Sequence, residues 1–257
     1  MNLPLPMSVT HDISLGRPAD FGQEILRRRA RLTEGLTQFD RRTVLDFGCG
    51  NGAQTLAFAR RPCRIIAADI SHENLRMLAG VITRESLSTI LPVLYDGLHL
   101  PLANDSVDLL LSFEVLEHVR SESATLHEWT RVMRPGAEAV ISVPNKAWVF
   151  ETHGAHLPLL PWHRVPFLSW LPSGLHRRIA RARVYRRREI QHLLRSHGFE
   201  ILSTTYITAP MDAVRTPWLK RLLRKTFFST DHTSIPFLAT AILVHCRKED
   251  PRRPVQP

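Results

Sequence analysis

Three glycines spaced two apart, Gly48, Gly50 and Gly52, close the apolar run Val44–Gly52 (VLDFGCGNG). Glycine weakens strands and helices alike. Such spacing therefore marks a turn that needs left-handed backbone or brings the main chain close to a ligand. Carboxylates recur around it: Asp46 just before the glycines, Asp69 about twenty residues after Gly48, and Asp96-Gly97 further on. In a βαβ unit, a strand that ends in glycines and opens a helix binds its ligand at the carboxyl edge of the sheet. An acid closing the next strand is placed to meet ribose hydroxyls, and Asp96 could accept from an adenine amino group. The dinucleotide fingerprint requires GxGxxG, whereas this chain has GxGxG with Ala53 in the remaining place. Several carboxylates would repel a pyrophosphate and suit a cofactor with a positive centre.

The elements that must position these groups alternate. A helix capped by Asp20 carries Phe21, Ile25, Leu32 and Leu36 on one face, with Arg27, Arg28, Arg29 and Arg31 mostly elsewhere. Strand Thr43–Phe47 and the glycine turn lead to a helix from about Ala53 to Arg60. Strand Arg64–Ala68, helix His72–Thr83, and strands Leu91–Leu94 and Val107–Ser112 follow. A helix near Ser121–Met133 stops at the Pro135-Gly136 breaker, and strand Ala137–Val143 comes next. Continuous apolar strands between helices predict a parallel sheet covered on both faces. The pattern resumes with helix Arg187–His197, strand Phe199–Ile207 and strand Pro236–His245. The fold class is α/β: a Rossmann-like, doubly wound, seven-stranded sheet, mostly parallel with an antiparallel last strand.

The 257 residues suit a single domain. Its core covers about 20–145 and 186–247, interrupted by an insertion over about 146–185 and a second excursion over about 208–234. A net charge of +10 and a pI near 10.5 favour an anionic partner: membrane headgroups, nucleic acid or a phosphorylated substrate. Three cysteines without CxxC spacing argue against a disulfide framework or zinc cluster and for a reducing compartment. The N-terminus shows no secretory pattern, and no stretch reaches the ~18 apolar residues of a spanning helix. These features predict a cytoplasmic protein.

With these residues in order, the sequence resembles the class I S-adenosylmethionine-dependent methyltransferases, particularly the group that methylates small molecules and lipids such as quinones. VLDFGCGNG resembles that family's first motif, Ala67–Ser71 its second, and Tyr95–Val119 its third and fourth. Arg134–Asn145 resembles the turn and fifth strand that follow. The resemblance implies S-adenosyl-L-methionine as cofactor. It implies that Gly48, Gly50 and Gly52 let the main chain approach it, with Asp46 near its amino end. Asp69, followed by Ile70, would hold both ribose hydroxyls. Asp96, with Gly97 and Leu98, would contact the adenine. Phe113 and Glu114 would line the methyl-transfer edge. The motifs specify family and cofactor, not acceptor.

A sulfonium methyl is already electrophilic, so catalysis needs alignment and exclusion of water, with a general base for a weakly acidic hydroxyl. His118 is one candidate base and His153 another. The Glu114, Glu117, His118 spacing resembles a metal site in some quinone O-methyltransferases, but the reading assigns no metal. Lys146–Pro172, dense in tryptophan and proline, reads as a lid over the strand ends that carries substrate choice. The cationic stretch Arg177–Glu189 follows it. The second excursion carries Leu219, Leu222 and Leu223 among Lys220, Arg221, Arg224 and Lys225, a short basic amphipathic helix. Apolar-aromatic then arginine-rich order suits an anionic bilayer interface at the inner face of the membrane. The function expected is methyl transfer, by O-methylation, to a small hydrophobic or lipid-linked acceptor. An RNA methyltransferase using the basic surface is the alternative, although the Asn/Asp-Pro-Pro-aromatic segment of base-amino methyltransferases is absent. A non-catalytic cofactor-binding scaffold is the third reading.

Overall fold

The computed structural model describes residues 23–150, 167–171, 182–212, 214, 216–250 and 252. Helix α1 (Gln23–Leu36) precedes β1 (Thr43–Phe47), β2 (Arg64–Asp69), α2 (His72–Glu85), β3 (Ile90–Leu94) and β4 (Val107–Phe113). Then come α3 (Glu122–Val132), β5 (Met133–Pro144), α4 (Arg187–Arg195), β6 (Phe199–Thr208), α5 (Pro217–Thr226), β7 (His232–Thr233) and β8 (Ala239–Lys248).

One sheet holds all eight strands in the order β3-β2-β1-β4-β5-β8-β6-β7. Strands β1 to β5 pair in parallel, and β8 slots antiparallel between β5 and β6. This is the expected Rossmann-like sheet with an antiparallel last strand. The eighth strand, beyond the seven expected, is the two-residue β7, which the second excursion lends to the edge of β6. Two residues carry no periodicity that a sequence pattern could show.

Adjacent residues of each central strand face opposite layers, and both layers are covered. Leu45, Phe47, Leu110, Ile141 and Val143 pack with Leu126, Trp129, Ile190 and Leu194 on one side. Val44, Ile65, Ala67, Leu109 and Leu111 pack with Phe58, Leu75 and Leu78 on the other. That double burial is why these strands read as unbroken apolar runs. Helices α2 and α3 start at Ser71 and Ser121, whose side chains accept from the Asn74 and Ala124 amides.

Four local expectations change. The helix expected over Ala53–Arg60 shrinks to a single 3-10 turn, Thr55–Phe58. Pro135-Gly136 does not separate helix from strand. It lies inside β5 as a bulge, with Val107 opposite Met133 and Leu109 opposite Glu138, and Gly136 at φ 78°. Strand β8 starts at Ala239, since Pro236–Leu238 forms a 3-10 turn and Pro236 has no amide to give a ladder. The arginines of α1 are not all turned away from its packed face: Arg28 is buried. Asp20 and Phe21 lie outside the described residues.

The first insertion leaves and returns at one point. The Lys146 amide donates to the Tyr185 carbonyl (2.9 Å), and the Tyr185 amide donates to the Pro144 carbonyl (3.0 Å). Its middle lies outside the described residues, apart from 167–171.

Candidate active site at the carboxyl edge of the sheet

The glycine turn is a main-chain structure pinned to its neighbours. The Gly48 and Cys49 amides both donate to the Ala68 carbonyl, at 2.8 and 3.0 Å. All three glycines take positive φ: 73° at Gly48, 54° at Gly50 and 82° at Gly52. Their surroundings differ. A β-carbon on Gly48 would lie 2.5 Å from Cγ2 of Val115, and one on Gly52 would clash with Cδ1 of Leu78. At Gly50 a β-carbon would meet nothing within 4 Å. Packing within the protein demands Gly48 and Gly52, whereas Gly50 presents bare main chain to open space. The sequence treats the three alike; the neighbours that separate them come from β4's exit loop and α2.

Asp69 ends β2 buried, with each carboxylate oxygen held by an amide. Gly50 donates to Oδ2 and Ser71 to Oδ1, both at 2.8 Å. One carboxylate thus binds the glycine turn to the start of α2, and each oxygen keeps a lone pair for a further donor. Ile70 beside it is half-buried. Asp46, at the end of β1, is also buried and accepts from the Thr55 hydroxyl at 2.6 Å. Burial pushes its carboxyl up to about 6, the Thr55 hydrogen bond opposes that, and the charge of Asp69 adds to it.

Asp96 behaves differently. It is exposed, and its Oδ1 accepts from the Leu98 and His99 amides, both at 2.7 Å. These amide bonds hold its carboxyl below the ordinary range. Gly97 takes φ 88° inside this turn, and Leu98 stands exposed. The turn therefore sets an acid and an apolar side chain at the β3 edge, in register with Asp69, which pairs with Leu94.

Strand β4 ends in buried Phe113, and Glu114 follows in left-handed backbone at φ 57°. A non-glycine residue held there carries local strain. Among the partners of its side chain, the Ser142 hydroxyl donates at 2.6 Å, and Nη2 of Arg29 lies 2.9 Å from Oε1. Arg29 is mostly buried, and its Nε–H has no hydrogen-bond partner. The sequence pattern set Arg29 with arginines mostly off the apolar face, yet a signal for its burial existed. Positions 28 and 29 fall at i+3 and i+4 from Ile25 and precede Leu32 by four and three, on the apolar stripe itself.

His118 sits in the turn after Val115, its amide donating to the Val115 carbonyl at 2.9 Å. Its side chain is mostly buried, with Nε2 3.9 Å from Oε1 of the fully buried Glu117. Glu114 turns to Arg29 and Ser142 instead, so the three acid and histidine side chains do not converge. Among the described residues no group of three or more His, Cys, Asp or Glu could hold a metal. His153 lies outside the described residues. The returning insertion clasps the His118 turn: the Arg183 guanidinium donates to the Val119 carbonyl at 2.6 Å and the Arg120 carbonyl at 3.2 Å. The Tyr185 hydroxyl donates to Glu122 at 2.7 Å. In the sequence both fall within the cationic stretch Arg177–Glu189, with nothing to mark either one individually.

Fold and sequence order thus bring the glycine turn, Asp46, Asp69, Asp96 and Glu114 to one edge of an α/β sheet, at the ends of β1, β2, β3 and β4. Known proteins narrow this. A family described as a methyltransferase domain matches residues 19–204. Among curated relatives, the chain is 29% identical over 189 residues to a ubiquinone biosynthesis O-methyltransferase of Rhizobium rhizogenes, covering 72% of this chain and 68% of that one. It is 28% identical over 168 residues to a probable S-adenosylmethionine-dependent methyltransferase of Mycolicibacterium smegmatis, covering 63% and 54%. Among solved structures, a SAM-dependent methyltransferase from Aquifex aeolicus superposes with TM-score 0.59 at 15% identity, covering 91% of this chain and 95% of that one. The [4+2]-cyclase SpnF superposes as well (0.59, 17% identity, 94% and 88%), so the fold alone does not specify a reaction. The chain belongs to the methyltransferase-domain family, among the class I S-adenosylmethionine-dependent methyltransferases. It is an enzyme, and its cofactor is S-adenosyl-L-methionine.

Proposed function

We propose that this enzyme methylates a hydroxyl of a small hydrophobic or lipid-linked acceptor at the edge formed by the glycine turn, Asp46, Asp69, Asp96 and Glu114. The observation that carries the reading is the contrast within the turn: of Gly48, Gly50 and Gly52, only Gly50 has open space beside its α-carbon, and its amide is tied to Asp69. These residues fit the donor chemically. Asp69 would take the ribose hydroxyls on its remaining lone pairs. Ile70, Asp96, Gly97 and Leu98 would flank the adenine, with Phe113 at the floor. The methionine end carries an ammonium and a carboxylate. Asp46 and Glu114 match the first, and the unpartnered Nε–H of Arg29 matches the second. Gly48 and Gly52 hold the turn in shape.

When bound, S-adenosylmethionine supplies an electrophilic methyl on a sulfonium centre. The chain's part is to orient and to desolvate. Strained backbone at Glu114 fixes the wall of the transfer edge, and the clasp of Arg183 and Tyr185 holds the first insertion beside it. His118 and His153 are the candidate bases for the acceptor's hydroxyl proton. The names of the ubiquinone biosynthesis O-methyltransferase relatives support a hydroxyl on a hydrophobic ring as acceptor. A lipid-linked acceptor would place the enzyme at the cytoplasmic face of a membrane.

Calorimetric titration with S-adenosylmethionine tests the site. Asp69→Ala should weaken binding by roughly 2–4 kcal/mol through lost charge-assisted hydrogen bonds. Unchanged affinity would remove Asp69 from the site.

A further inference from the structure

The second excursion presents a surface that folding does not account for. Helix α5 buries none of its side chains. Its solvent stripe is Trp218, Arg221, Leu222 and Lys225, at positions i, i+3, i+4 and i+7, all exposed. Trp218 is 67% exposed and Leu222 51%. Leu219 and Leu223 occupy the other stripe, half-buried against the protein. The helix has no acidic residue. Arg224 is paired with Asp212 at 2.6 Å, but among the described residues no carboxylate pairs with Lys220, Arg221 or Lys225. Beyond the helix, Phe227, Ile235 and Phe237 are exposed too.

This surface lies at the same edge of the sheet as the site. Strand β6 ends at Thr208, opposite Ala239, and Pro144 at the end of β5 pairs with Ala241. It also continues onto the first insertion, because the rings of Trp170 and Phe237 lie 6.1 Å apart and those of Phe167 and Trp170 5.1 Å. Arg28 staples the excursion at both ends, donating to the carbonyls of Thr208 (3.0 Å) and Phe228 (2.8 Å).

From these placements we infer that the exposed stripe of α5, with Phe227, Ile235 and Phe237, docks the protein on an anionic lipid bilayer so that the acceptor enters from the membrane. Tryptophan and leucine beside arginine and lysine match the boundary where acyl chains meet anionic headgroups. A nucleic acid would use the cations and leave Leu222 and Ile235 without a partner. A ten-residue helix is marginal on its own, and a bilayer would cover the stripe that the protein leaves exposed. The inference rests on the hydrophobic-acceptor reading for its purpose, while vesicle binding is read out separately from methyl transfer.

The full chain is sedimented with vesicles of phosphatidylcholine alone and with phosphatidylglycerol added. Binding to the anionic vesicles that weakens with salt is expected. The triple variant Lys220→Gln, Arg221→Gln, Lys225→Gln should bind about fivefold more weakly per charge, about a hundredfold in all. The double variant Trp218→Ser, Leu222→Ser should lose binding at salt levels where the wild type keeps it, and both variants should bind S-adenosylmethionine normally. No sedimentation of the wild type with anionic vesicles, or equal sedimentation of wild type and triple variant, overturns the inference. So does a triple variant that loses only retention of RNA on a filter. Failure of the wild type to bind S-adenosylmethionine would sink the proposed function and leave the vesicle result standing.

Discussion

The glycine edge and the second excursion lie at the same end of the sheet and are built in opposite ways. At the glycine edge almost every polar group has its partner inside the protein. Asp69 holds two amides, Asp46 a hydroxyl, Glu114 a hydroxyl and a guanidinium. In the excursion, α5 has no fully buried side chain and displays tryptophan, leucine and cations that pair with no carboxylate among the described residues. The first region is pre-organised for a small polar ligand, for which misplacement by an ångström is costly. The second suits a broad partner that needs charge and apolar area rather than a fixed geometry.

The contrast can be attacked at its largest joint. Arg28 is one buried side chain tying the excursion to α1, so Arg28→Ala should strand carbonyls of Thr208, Ala209 and Phe228. A loss of about 4 kcal/mol in denaturant unfolding is expected, with protease sensitivity appearing first near 208–231. Next, Gly48→Ala should cost about 3 kcal/mol of stability through the clash with Val115 and positive φ. Gly50→Ala, which meets nothing, should cost about 1 kcal/mol of stability yet weaken S-adenosylmethionine binding more than its stability loss. Equal behaviour of the two variants would erase the distinction drawn between them.

Asp46 gives a pH test. A carboxyl raised in the folded state stabilises fully below its unfolded value of 3.8 and loses that contribution as pH rises through about 6. The stability difference between Asp46→Asn and wild type should therefore change by about 2–3 kcal/mol between about pH 4 and pH 7, in favour of the variant at pH 7. On the proposed reading, in which Asp46 meets the cofactor's ammonium, cofactor affinity should fall in the same variant. Smallest of all, the triple α5 variant should leave unfolding stability within about 0.5 kcal/mol of wild type. A larger loss would show that α5 is part of the core.

The sheet was legible because its strands are buried on both faces and so carry continuous apolar runs. The acids at the ends of β1, β2 and β3 were legible because chain order alone brings parallel strand ends to one edge. Arg28 and Arg29 were misplaced because a charge on an apolar stripe is ordinarily solvated, and only their distant partners (the Phe228 carbonyl and Glu114) explain their burial. The same limit hid β7 and the bulge at Pro135-Gly136, whose pairing partners are remote in sequence. Spacing and residue type thus determined the fold, the cofactor class and the edge to which the motif residues are brought, since these follow from local periodicity and topology. The tertiary structure alone decided which glycine of the turn has open space beside it, which arginine reaches Glu114 and which face of α5 meets solvent, because each depends on contacts between segments the chain brings together only on folding.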